Sequence, residues 1–135
     1  VLRDQRHRED GPAEEFSNGY KYWWLNGRLH RENGPAIEEG PDKHWFIQGI
    51  RHRIGAPAIE ENGDKEWCIE GKRHREDGPA IERANGDKEW YLRGQRHRED
   101  GPAVEYVDGR KYWYLQGTAY TEKDYWRVVK LKALW

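Results

Sequence analysis

The sequence predicts an all-β fold: an elongated array of five antiparallel β-hairpin repeats of 22–23 residues, forming one twisted sheet with a C-terminal capping helix. Three observations predict it. A histidine recurs at His7, His30, His52, His74 and His97, so the period runs 23, 22, 22 and 23 residues, and Tyr120 stands 23 residues further on. A fixed period of this length marks stacked repeats, none of which can bury its apolar face alone. Each copy then carries Lys-x-Trp-x-Leu or Ile, and a spacing of two is strand alternation. Before that motif comes a hairpin turn, Asn18-Gly19, Asn62-Gly63, Asn85-Gly86 or Asp108-Gly109.

Each copy reads in the same order. His-Arg and an acidic pair open it, and Gly-Pro or Ala-Pro leads into the first strand, where proline is tolerated because no ladder donor is needed. Ala13, Ala36, Ala58, Ala80 and Ala103 follow that proline. The turn comes next, and the second strand holds Trp23, Trp45, Trp67, Trp90 or Trp113. The two repeat lengths differ by one residue in the turn. The longer copies place Glu82 opposite Lys88, and the shorter ones Glu60 opposite Lys65. Small Ala80 and Ala58 then face Trp90 and Trp67, and each Glu–Lys pair adds ~0.2–1 kcal/mol. Tryptophan, Leu or Ile, and alanine form a repeat core along one face. The other face carries Ile37, Ile59, Ile81 and Val104 beside Trp24, Phe46, Cys68, Tyr91 and Tyr114. Segments such as Gly27–Gly34 read as linkers between hairpins.

The array is expected over 1–120 and the helix over 121–135. Val1–His7 matches Tyr91–His97 closely, so the first residues read as the second half of a repeat, which leaves room for further copies upstream in a longer parent protein. At the other end Thr121 fits an N-cap with Asp124 as a partial capping-box partner. Tyr125, Trp126, Val128, Val129, Leu131, Leu134 and Trp135 supply an apolar face for covering the last rung, as an open sheet edge requires.

Composition narrows the function. Charged residues make up 36% and mean hydropathy is -1.28, but eight Trp and eight Tyr supply the buried area that an ordered fold needs. A net charge of -1 provides no field for nucleic acid or an anionic membrane. Cys68 is the single cysteine, so neither an internal disulfide nor a cysteine zinc cluster is possible. With no apolar run long enough to insert into a bilayer and no signal peptide visible, the expected location is the cytoplasm.

The repeat Lys-x-Trp-x-Leu-x-Gly followed by His-Arg-Glu-Asp-Gly-Pro-Ala resembles the variant branch of the MORN-repeat family over about residues 1–120. Its His-Arg-Glu-Asp-Gly-Pro-Ala form is similar to repeats in small proteins of tailed phages, large viruses and bacteria. The resemblance implies a β-hairpin array with a binding or scaffolding role, and it transfers no catalytic residue. The Tyr-x-Gly-x-Trp signature of ordinary units is absent as such, so their membrane association does not carry over.

Chemistry-bearing patterns are few. Equivalent histidines two strands apart lie roughly 9.5 Å from one another, whereas zinc ligands sit about 2 Å from the metal. No metal ladder follows, and histidine is expected to bond the connecting backbone while arginine pairs with the acids. One serine, Ser17, two threonines and no phosphate loop leave no nucleophile arrangement, so the chain reads as non-enzymatic with no cofactor. Nucleic acid is disfavoured because acid follows His-Arg in four of five copies.

Departures from the repeat point elsewhere. The third copy replaces both acids with Ile54 and Gly55, and Ile50 stands just before it, with Phe46 and His44 flanking Trp45. Gly40-Pro41-Asp42 replaces the Asn-Gly turn, and Tyr22 with Trp24 forms a second aromatic surface. Ile50, Ile54, Phe46, His44, Tyr22 and Trp24 are therefore the candidate partner-binding residues. The expected partner is another protein, with a phage-like inhibitor or adaptor of a host protein, of the anti-defence kind, as the sharpest form. A sponge for nucleotides or small anions and a scaffold segment of a larger protein are the alternatives. The oligomeric state is left open.

Overall fold

Where each lysine-containing strand reaches its tryptophan, the main chain changes ladders, and this step sets the architecture. The computed structural model describes residues 11–134, so His7 and Trp135 lie outside the described residues. The chain divides into two units, Val1–Lys72 and Arg73–Trp135. The predicted class holds: antiparallel hairpins with a single C-terminal helix.

In the first unit, sheet strands Glu14–Glu15, Lys21–Tyr22, Ile37–Glu39, Asp42–His44, Ile59–Glu61 and Asp64–Glu66 lie side by side in chain order. In the second, Ile81–Glu82, Lys88–Glu89, Val104–Glu105, Lys111–Leu115 and Thr118–Tyr120 do the same. The predicted register holds at Glu60 with Lys65 and Glu82 with Lys88, and also at Glu15 with Lys21, Glu38 with Lys43 and Glu105 with Lys111. Successive copies continue the alternation, since Lys21 pairs Glu38, Lys43 pairs Glu60 and Lys88 pairs Glu105. One face of each sheet is thus a row of alternating charges. The opposite face carries Ile59, Ile81 and Val104, all buried.

The turns follow the repeat lengths. Asn62-Gly63 turns with both residues at positive φ, as a two-residue hairpin demands. In the longer copies only the glycine is left-handed, at Gly19, Gly86 and Gly109. Gly40-Pro41 makes a two-residue turn with Gly40 at φ 64°.

Two expectations need correction. Lys-x-Trp-x-Leu is not one strand in the first four copies, because the ladder breaks at Trp23, Trp45, Trp67 and Trp90. The Trp N–H of one copy donates to the alanine carbonyl of the next (Trp23 to Ala36, Trp45 to Ala58, Trp90 to Ala103). The same residue's carbonyl accepts from His30, His52 or His97. Tryptophan is therefore the hinge between two ladders; only at Trp113 does the strand run through, as Lys111–Leu115. Nor is Gly27–Gly34 wholly a linker. Trp24–Leu25 pairs with Arg28–Leu29 as a second, short hairpin, and Phe46–Ile47 with Ile50–Arg51 and Tyr91–Leu92 with Gln95–Arg96 repeat it.

The core follows from this double layer. Ala36, Ala58, Ala80 and Ala103 have no exposed surface, and the carbonyls of Ala36, Ala58 and Ala103 accept the hinge bonds from tryptophan. The five tryptophans assigned to the repeat core are only half-buried. Cys68 and Tyr91 of the short hairpins are buried with the isoleucines, and each fully buried Ile or Val contributes ~1.5–3 kcal/mol.

The helix runs Glu122–Ala133 with Thr121 as N-cap, its Oγ1 accepting from Asp124 N–H at 3.2 Å. Tyr125 is fully buried, and Val128 and Val129 are half-buried on the same side. The Tyr125 phenol donates to the Arg98 carbonyl and accepts from Gly101 N–H at 3.2 Å. The predicted apolar face is narrower than expected, since Trp126, Leu131 and Leu134 are exposed.

Candidate functional site

Each short hairpin turns through a residue pair at positive φ: Asn26-Gly27, Gln48-Gly49, Glu70-Gly71, Arg93-Gly94 and Gln116-Gly117. Asparagine tolerates the left-handed region; Gln, Glu and Arg occupy it at a cost of ~1 kcal/mol or more. What holds them there is the histidine column. The imidazole Nδ1 of His30, His52, His74 and His97 accepts the main-chain N–H of Gln48, Glu70, Arg93 and Gln116, at 2.8, 2.9, 2.9 and 2.9 Å. The turn glycine adds a bond to the preceding short hairpin, Gly49 to Leu29, Gly71 to Arg51, Gly94 to Arg73 and Gly117 to Arg96. Histidine bonding to the backbone was expected. Its target, the left-handed turn 18 or 19 residues on in the copy that the histidine opens, was not.

The following arginine locks the sheet side. Guanidinium groups of Arg31, Arg53 and Arg98 lie 3.8, 3.7 and 3.8 Å from the ring centres of Trp23, Trp45 and Trp90. Each also donates to a proline carbonyl four residues on and reaches the strand glutamate seven residues on, as does Arg75. A Cβ at Gly34, Gly78 or Gly101 would fall 2.7–2.9 Å from the guanidinium carbon, so the arginine end must shift slightly where the third copy has Ala56. These residues build the rung and are spent in doing so.

The inner layer adds a buried polar cluster in the second unit. Glu89 accepts from Tyr91 Oη at 3.0 Å and Arg96 Nη2 at 3.2 Å, and Arg96 also meets Tyr114 Oη at 3.3 Å. Burial, with the Glu89 carboxylate behind it, pushes the Tyr91 phenol above its ordinary range. Burial opposes the charge on Arg96, but its Tyr91, Glu89 and Tyr114 partners outweigh it and hold the guanidinium firmly protonated. Burial likewise raises Tyr125.

A groove opens beside this cluster, between the Tyr91–Arg96 hairpin and the turn at Gln116. It encloses about 310 Å³ and is lined by His74, Glu76, Leu92, Arg93, Gln95, His97 and Gln116. Because Nδ1 of each ring accepts a main-chain N–H, a neutral ring carries its hydrogen on Nε2. His74 Nε2 lies 3.4 Å from Glu76. Arg93, Gln95 and Gln116 have no side-chain hydrogen bond or ion pair among the described residues.

The six candidates from the sequence are not one surface. His44 is buried in the sheet, paired with Ile37 and Ile59, with Nε2 3.6 Å from Glu61. The Tyr22 phenol donates to Glu39, a bond that, with some burial, pushes it up to about 12. Trp24 Nε1 donates to Glu14 at 2.9 Å. Phe46 is half-buried under the Arg51 guanidinium, 5.4 Å from its ring centre. Only Ile50 and Ile54 are exposed, at 51% and 80%. Ile50 shares a hairpin with Phe46 and lies across Gly71 of the following turn, where a Cβ would meet it at 3.1 Å. Ile54 stands on the loop that follows.

The sequence reading missed Arg93, Gln95 and Gln116. Their signal was the x-Gly pair three and four residues beyond each tryptophan, in which only Asn26-Gly27 has the composition of a tight turn. Among the described residues no cluster of His, Cys, Asp or Glu has the arrangement of a metal site, and no helix is long and apolar enough to cross a membrane. No family model matches the chain, and no curated protein or solved structure does either.

Proposed function

We propose that the chain is a non-catalytic binding module whose short-hairpin layer meets another protein around Ile50 and Ile54. One observation carries this reading. Ile54 is 80% exposed at the position where other copies hold Glu32, Glu76 and Glu99, and Ile50 is exposed where they hold Arg28, Lys72 and Gln95. The rung bonds run through main chain, histidine and arginine, so the fold has no need of an apolar side chain at either place. Exposed isoleucines of this kind supply the desolvated anchors of a protein interface.

The finer form rests on the resemblance in the repeat: an inhibitor or adaptor directed at a host protein, of the anti-defence kind, acting in the host cytoplasm. The test is comparative capture from host lysate with wild type, Ile50→Lys, Ile54→Glu and a control, Lys65→Gln, on the charged face. A protein retained by wild type and the control but lost from both isoleucine variants supports the reading. Identical recoveries across all four would remove it.

A further inference from the structure

The second unit carries a separate feature which that reading leaves unused. At the positions of Gln48, Ile50 and Glu70 in the first unit, the second unit has Arg93, Gln95 and Gln116. All three line the groove, all three are uncommitted, and each is a planar hydrogen-bonding group. We infer that this groove binds a small molecule through an oxyanion, a carboxylate or a phosphate monoester, with Arg93 as its charged donor.

The chemistry follows from what is spent and what is free. His74 and His97 have their Nδ1 atoms fixed by the turns, so the neutral rings offer Nε2–H donors. The one carboxylate in the lining, Glu76, is 85% exposed and lies against His74. His97 Nε2 in turn lies 3.9 Å from Glu99. What remains uncommitted in the groove is the Arg93 guanidinium with the two amides of Gln95 and Gln116, a set that complements an oxyanion. Arg93 sits in the left-handed region at φ 51°, where asparagine would suit the turn better. Both sides of the groove are pinned, by Gly94 to Arg73 at 2.8 Å and Gly117 to Arg96 at 2.9 Å, so the donors are held in place before any ligand arrives. A volume of about 310 Å³ is at the small end for ligand sites and suits a small molecule.

The experiment is amide-resolved NMR of the full chain titrated with inorganic phosphate, glycerol phosphate, succinate and, as neutral control, glycerol. Saturable shifts at Arg93, Gln95, Gln116 and His97 with the anions but not glycerol are expected. The phosphate and dicarboxylate arms show which oxyanion is preferred. Arg93→Asn should weaken binding about tenfold, the worth of one charge-assisted pair, while raising Tm because asparagine fits the turn. Gln95→Ile, which copies the first unit, should weaken it less. No saturable shift with any anion, or equal affinity in Arg93→Asn, would overturn the site. The outcome is independent of the protein-binding reading, because neither variant touches Ile50 or Ile54.

Discussion

The turn at Gln48-Gly49 and the turn at Arg93-Gly94 have the same φ values to within a few degrees, 49° and 80° against 51° and 82°, and the same histidine bond at 2.8 and 2.9 Å. Around the first stand Ile50 and, one copy on, Glu70; around the second stand Gln95 and Gln116. One surface is apolar and open, the other polar and concave. The difference teaches that this repeat separates architecture from chemistry. Main chain, histidine, arginine and alanine define each rung, so the turn side chains are free to vary. Two units built on one plan can therefore present different ligands with different surfaces.

The largest effect that can break the comparison is at the helix. Tyr125→Ala should cost about 3–5 kcal/mol, by analogy with truncation of a buried aromatic. In hydrogen exchange the loss should appear in the second unit first, at Gly101 and Gln116. Equal loss of protection at Gln48 and Glu70 would show that the units are not separable in stability.

Alkaline pH should bring about part of the same change. Tyr91 and Tyr125 are held above the ordinary tyrosine value of ~10. The native state therefore keeps protons that the unfolded chain releases, so this stability is complete below pH ~10 and is lost as pH rises through the raised values. A urea series between neutral and strongly alkaline pH should show the midpoint falling above pH ~10. Tyr125→Phe should flatten that limb.

Next come the histidines. Replacing His30 or His97 by Ala leaves a turn N–H without its acceptor, at a cost of about 1–3 kcal/mol. The two variants should match, because the bond is the same in both units. A large loss in one and none in the other would mean that the column is not a common device.

The sequence made the period, the sheet hairpins and their register legible, because Glu60 with Lys65 and Glu82 with Lys88 follow from turn length alone. Thr121 was legible as a cap for the same local reason. The second hairpin was hidden by its turn residues. Gln48, Glu70, Arg93 and Gln116 do not read as left-handed, and long-range bonds, to histidine and from the turn glycine, hold them there. The ladder break at Trp90 was hidden because its cause, the Ala103 carbonyl, belongs to the next copy. For the same reason Ile54 could be found as a misplaced residue, while Arg93, Gln95 and Gln116 could not be grouped until the short hairpins were folded.

The smallest stability effects lie on the surfaces themselves. Gln116→Asn should stabilise by ~0.5–1 kcal/mol in thermal denaturation, since asparagine relieves the left-handed strain. Ile54→Glu should change stability by less than ~0.5 kcal/mol, as a surface substitution does. A larger cost there would show that Ile54 is a structural residue and would weaken its assignment to a partner.

The central claim is that the histidine opening a copy holds, through Nδ1, the short-hairpin turn of that same copy in both units. Nitrogen-detected NMR of the imidazoles, with exchange rates of the four turn amides, measures it directly. The account predicts the Nε2–H tautomer for His30, His52, His74 and His97, with slow exchange at Gln48, Glu70, Arg93 and Gln116. Nδ1–H tautomers, or turn amides exchanging at the rate of free loops, would contradict it.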